Sequence, residues 1–125
     1  MAKVLGFGGL FFKSPDPARL YAWYREHLGF DLNDWGASLQ PAAMPEGGYT
    51  VWSAFADTSD YFAPSEKGFM FNLVVDDLAE ALAQVQRAGA RIVKPSESHE
   101  FGHFGWFIDP DGNKVELWQP TAEAR

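Results

Sequence analysis

Two aspartates about sixty residues apart open the same pattern twice, and this repeat constrains the fold of the chain more than any other feature. Asp16 precedes Pro17, an arrangement that caps the orphan amides of a helix and places proline at its first position. Leu20, Trp23, Tyr24 and Leu28 follow at helical spacing, and Gly29 supplies a left-handed stop, so a helix is predicted over Pro17 to Leu28. In the second copy Asp77 caps, Glu80 completes a capping box, and Leu78, Ala81, Leu82, Val85 and Ala88 form one apolar face that ends at Gly89.

Each helix is preceded by an apolar stretch too short for a helix of its own. Val4 to Lys13 and Phe69 to Val75 therefore read as strands. After the first helix, short strands are expected near Phe30 to Asn33, Ala37 to Gln40 and Tyr49 to Ala56, with Pro41, Pro45 and Gly47-Gly48 marking turns. After the second they are expected at Arg91 to Lys94, Gly105 to Ile108 and Lys114 to Trp118, the last two joined through Asp109-Pro110-Asp111-Gly112-Asn113. Residues 57–67 read as a surface connection between the halves. The result is an α+β chain forming a single domain, 1–125, with internal repeats of approximately 1–56 and 68–120.

Composition narrows the chemistry. There is no cysteine among the 125 residues, which excludes disulfides, thiolate metal sites and thiol nucleophiles. A formal net charge of -7 lacks the basic footprint that nucleic acid or an anionic membrane surface requires. No apolar run reaches the length of a membrane helix and the first residues do not resemble a signal peptide, so a cytoplasmic protein is expected, and the charge leaves small molecules or proteins as its partners.

The run Asp16 to Tyr24 with His27-Leu28-Gly29-Phe30, the segment Val75-Asp76-Asp77-Leu78, and the closing Phe107-Ile108-Asp109-Pro110-Asp111-Gly112-Asn113-Lys114-Val115-Glu116-Leu117 together resemble the vicinal oxygen chelate superfamily of glyoxalases, bleomycin-resistance proteins and extradiol dioxygenases. The resemblance implies two tandem βαβββ modules that curl into an open cup-shaped mixed sheet, with a homodimer completing or flanking the cavity. In metal-dependent members, ligands project from the first and last strand of each module. Carried onto this sequence, those positions fall on Gly9, Met70, either Trp52 or Ser53, and Glu116. Glu116 alone matches the metal pattern, and one carboxylate without an imidazole does not make a specific site. No cofactor is therefore expected, and a divalent metal only if Glu116 finds further ligands.

His99-Glu100-Phe101-Gly102-His103 satisfies the H-E-x-x-H pattern of zinc proteases, but that site needs a helix, and Pro95, Gly102 and Gly105 argue for a strand and turn. His103 or His99 could still act beside Glu116 as an acid or base, since imidazole titrates near neutrality; the plainer alternative is two solvated loop histidines. Glu116 itself is either a buried carboxylate with its pKa raised by apolar neighbours or an inherited ligand position hydrogen-bonded within the cup. Strand alternation and the resemblance place Phe11, Trp52, Met70, Asn72, Phe104, Trp106 and Trp118 on the inner wall, which suits a flat or apolar ligand oriented by Glu116 and Asn72. For each ring the alternative is simple core packing.

Two functions compete. The first is a metal-independent binder that sequesters or carries an apolar or aromatic compound; the acidic surface favours cationic compounds over anionic ones. The second is a lyase or dioxygenase of the same superfamily that uses Glu116 as metal ligand or general base. A purely structural dimerisation module with a collapsed cup is a third reading, disfavoured by Gly9 and Asn72 on the inner face.

Overall fold

The computed structural model describes residues 1–3, 5 and 7–121. In chain order its regular elements are helix α1 (Pro17–Leu28), a 3-10 turn (Pro41–Ala43), strand β1 (Phe71–Val74), helix α2 (Leu78–Arg87), and strands β2 (Arg91–His99), β3 (Gly102–Ile108) and β4 (Lys114–Pro120). The four strands form one mixed sheet in the order β1-β4-β3-β2. β1 runs parallel to β4, which requires the α2 crossover, while β4 with β3 and β3 with β2 are antiparallel. The second repeat is thus a complete βαβββ module.

Both helices begin and end as their sequences dictate. Asp16 accepts from the Arg19 amide and Asp77 from the Glu80 amide, and Gly29 closes α1 in the left-handed conformation at φ 58°. The helices cover one face of the sheet. Leu20, Tyr24, Leu78, Ala81 and Val85 pack on Phe71, Phe107, Val115 and Leu117, and Trp23 stacks on Phe107 with ring centroids 5.8 Å apart. The Gln84 amide donates to the His27 carbonyl at 2.9 Å, joining α1 to α2.

The β3–β4 turn is organised by one carboxylate. Asp109 Oδ1 accepts from the amides of Asp111 and Asn113, both at 2.9 Å, and Oδ2 accepts from Asn113 Nδ2 at 2.8 Å and the Tyr24 hydroxyl at 2.9 Å. The same aspartate therefore closes the hairpin and fastens α1 to it. At the other end of the hairpin Gly102 has φ +132°, and a Cβ there would run into the Gln119 carbonyl, so only glycine fits. β2 extends five residues beyond its expected end, through Pro95. Proline is tolerated because β2 is an edge strand and its register with β3 slips between Lys94 and Glu97.

The first repeat departs from expectation. Its helix forms, but the strands expected at Phe30 to Asn33, Ala37 to Gln40 and Tyr49 to Ala56 join no ladder among the described residues. The strand expected over Val4 to Lys13 lies partly outside those residues, and 7–13 is unpaired. Asn33 and Gly36 make an isolated bridge around a tight turn, and Pro41–Ala43 is a 3-10 turn. A strand is stabilised by its neighbour rather than by its own residues, so apolar sequence alone does not form a ladder. Phe11 and Trp52 consequently stand 94% and 80% exposed.

Replacing Tyr24 with Phe should cost about 1–3 kcal/mol in urea unfolding, because it strips the hydroxyl from the buried Asp109 carboxylate while leaving the ring in place. The Tyr24 pKa is raised far above the tyrosine range by burial and then by the negative charge of Asp109. The unfolded phenol ionises near pH 10 while the folded one keeps its proton, so this share of stability is complete below pH 10 and declines above it. The urea midpoint should accordingly fall less between pH 9 and 11 in Tyr24→Phe than in the parent.

Candidate functional site

The sheet face opposite the helices carries the residues with chemical potential. Alternation along β4 points Lys114, Glu116 and Trp118 to this face, and Val115 and Leu117 to the helices. Register then aligns neighbours with Glu116: Asn72 of β1 lies on one side and Trp106 of β3 on the other, with Lys94 of β2 beyond Trp106.

Glu116 is 8% exposed, and both of its oxygens are engaged by donors. Oε1 accepts from Asn72 Nδ2 at 2.6 Å, and Oε2 accepts from Trp106 Nε1 at 2.8 Å and from the Tyr61 hydroxyl at 2.5 Å. Tyr61 comes from the connection between the repeats, which folds back over the sheet rather than remaining a simple surface crossing. Its ring stacks on Phe55 at 5.6 Å, and Lys114 Nζ lies 4.9 Å from its centroid and donates to its carbonyl. Burial and then the hydrogen bond to Glu116 push the Tyr61 pKa above the tyrosine range. Burial, then the charge of Lys94, pulls Lys114 below the lysine range. Lys94 Nζ sits 4.3 Å from the Trp106 ring centroid and 3.0 Å from Glu97 Oε2.

An aromatic wall continues along the same face. Trp118 is buried, donates through Nε1 to the Phe101 carbonyl at 2.8 Å, stacks nearly parallel to Phe104 at 6.1 Å and meets Tyr49 edge-on at 5.0 Å. Among the residues expected from sequence, the structure thus brings together Glu116, Asn72 and Trp106 by direct hydrogen bonds, and Phe104 and Trp118 by stacking. Met70 is half-buried just before β1.

Others lie elsewhere. Phe11 lines an open depression of about 460 Å³ with Leu10, Phe12, Lys13, Lys67 and Phe69, none of which touches Glu116 through a hydrogen bond. Trp52 is exposed. His103 alternates with Phe104 onto the face that carries Gly105 and Phe107, so it points to the opposite side of β3 from Glu116; its Nδ1 lies 2.8 Å from Ser98 Oγ. The expected acid-base pairing of His103 with Glu116 is therefore not assembled. The H-E-x-x-H segment spans the end of β2, a turn and the start of β3, not a helix.

Sequence reasoning missed Tyr61 and Lys114. Lys114 shares the parity of Glu116 two residues away, and alternation applied one step further would have found it. Tyr61 lies within a turn of an irregular stretch, where no periodicity reports which way a side chain points.

A divalent metal, central to part of this fold's known chemistry, does not fit these residues. Asn72 and Trp106 present N–H groups to Glu116, and Tyr61 an O–H, where a metal site would need lone pairs. Among the described residues no group of three or more His, Asp or Glu converges.

The fold and this site define a class. The Glyoxalase/Bleomycin resistance protein/Dioxygenase superfamily matches residues 10–117, and the chain belongs to it. The chain is similar to TnmS3, an antibiotic binding protein from Streptomyces sp. CB03234, at 27% identity and a TM-score of 0.56 over 96% of this chain and 100% of that one. It is also similar to a glyoxalase/bleomycin resistance protein from the same organism, at 28% identity and TM-score 0.50 over 85% and 93% of the two chains. A superfamily member from Sphaerobacter thermophilus DSM 20745, 20% identical over 94% and 98% of the chains with TM-score 0.51, shares the fold. No curated protein matches. No described helix is long and apolar enough to cross a membrane.

Replacing Trp106 with Phe removes one of two donors to Glu116 Oε2 and trims the indole to a smaller ring in a buried site. Thermal or urea unfolding should report a loss of about 1–3 kcal/mol. Asn72→Ala, at an exposed position on the rim, should cost less than Trp106→Phe in the same measurement.

Proposed function

We propose that this chain is a metal-independent binding protein that holds an aromatic or otherwise apolar small molecule against the sheet face bearing Glu116, and that it sequesters or carries the compound without transforming it. The observation that carries this reading is the donor set on Glu116. Asn72, Trp106 and Tyr61 satisfy the carboxylate with neutral hydrogen bonds, leaving it suited to orient a ligand group rather than to hold a cation. Phe104 and Trp118 extend the face with nearly parallel rings, an apolar wall that suits a flat molecule once Tyr49 gives way. The likeness to an antibiotic binding protein across nearly the whole chain points the same way.

The proposal includes a homodimer acting in the cytoplasm. Large apolar side chains of the first repeat, including Phe11, Leu39, Val51 and Trp52, are exposed in the single chain. A second copy would give these segments strands to pair with and cover their apolar side chains. The competing reading, a lyase or dioxygenase that uses Glu116 as metal ligand or base, lacks support in the donor set. Neither His99 nor His103 hydrogen-bonds to Glu116.

Metal analysis and heat stability test the central point. The purified, tag-free protein should contain metal well below one ion per chain, and nickel, zinc, manganese and iron should move its melting temperature by less than about 1 °C. A screen of aromatic compounds should raise it instead, and sedimentation equilibrium should give twice the chain mass. A stoichiometric metal that is lost in Glu116→Gln would overturn the reading and favour the enzyme.

A further inference from the structure

Glu116 has two kinds of hydrogen-bond partner. Asn72 and Trp106 are fixed by the sheet, because each stands opposite Glu116 in the register of a neighbouring strand. Tyr61 belongs to no strand or helix and reaches the carboxylate from the connection between the repeats. Its phenol is the one donor of the three whose backbone is not held in the sheet.

The place it fills is well defined. A six-membered ring stacks on Phe55 at 5.6 Å and 19° and has the Lys114 ammonium 4.9 Å from its centroid, with a hydroxyl aimed at a buried carboxylate oxygen. Two cations already flank the cluster, Lys114 against the Tyr61 ring and Lys94 against the Trp106 ring. Lys94 is paired with Glu97, but the Lys114 ammonium lies against the Tyr61 ring itself, so a cation in that place would meet it at close range, whereas a neutral O–H would restore the third hydrogen bond to Glu116.

We infer that the Tyr61 phenol occupies the subsite of a hydroxylated aromatic ligand, which displaces it and presents its own hydroxyl to Glu116. The inference rests on the proposed aromatic-binding function and narrows it to compounds with a neutral phenolic donor. It also assigns Tyr61 the role of an internal competitor: apparent affinity is reduced by the fraction of sites it closes, and removing it raises the affinity of every compound that uses the slot.

Isothermal titration of the full chain with 2-naphthol, 2-methoxynaphthalene and 2-naphthylmethylammonium separates these statements. In the parent protein, 2-naphthol should bind about tenfold more tightly than the methyl ether, which leaves Glu116 one donor short, and more tightly than the ammonium. Tyr61→Ala should bind both 2-naphthol and the ether about tenfold more tightly than the parent while keeping their ratio. Tyr61→Phe, which retains the ring but not the hydrogen bond, should fall between, and it decides the matter if the alanine variant does not fold by circular dichroism. Equal binding of naphthol and ether, with no gain in either variant, would overturn the displacement inference and leave the aromatic-binding function standing. Tightest binding by the ammonium would overturn the preference for a neutral donor. No binding of any probe to any variant would overturn both the inference and the function beneath it.

Discussion

The register of the β3–β4 hairpin is the constraint on which the site depends, and it is set at Asp109. Four hydrogen bonds converge on that carboxylate, three from its own turn and one from Tyr24 of α1. With the turn fixed, Trp106 must lie opposite Glu116 and Phe104 opposite Trp118. A slip of one residue would send Glu116 into the apolar layer under the helices and expose Val115 and Leu117. Gly102 secures the other end, where the strands approach too closely for any Cβ. Parallel pairing of β1 then brings Asn72 beside Glu116 and completes a row of side chains across three strands.

That row explains how an acidic side chain stays in a largely covered position. An unpartnered buried carboxylate is costly, but this one receives donors on both oxygens, and the cations of Lys94 and Lys114 lie near the rings that serve it. Superfamily membership establishes the scaffold, and the chemistry rests on the side chains that this face carries.

The parts of the fold legible from sequence are those governed by local chemistry. Asp16-Pro17 and Gly29 bound α1, Asp77 and Glu80 start α2, and the Asp109 to Asn113 turn joins two strands at the expected positions. The row Asn72, Glu116 and Trp106 is accessible from sequence through the family resemblance, which supplies the Glu116, Met70 and Trp106 positions, with strand alternation adding Asn72. Where partners decide, sequence was silent. The strands of the first repeat have the right composition but find no ladder within the described chain, Pro95 sits inside β2 only because that strand is at the edge, and Tyr61 gains its role from a connection without periodicity. Closeness along the hairpin suggests His103 beside Glu116, but its parity on β3 turns it to the other face.

The central claim is that Glu116 anchors an aromatic ligand through its carboxylate. Its most direct test is carbon NMR of protein labelled at the glutamate side-chain carboxyl, with the Glu116 resonance assigned by its disappearance in Glu116→Gln, titrated with 2-naphthol. The account predicts that the Glu116 resonance shifts progressively to saturation while those of exposed glutamates such as Glu26 and Glu80 stay in place. Saturable binding that leaves the Glu116 resonance unmoved would contradict it.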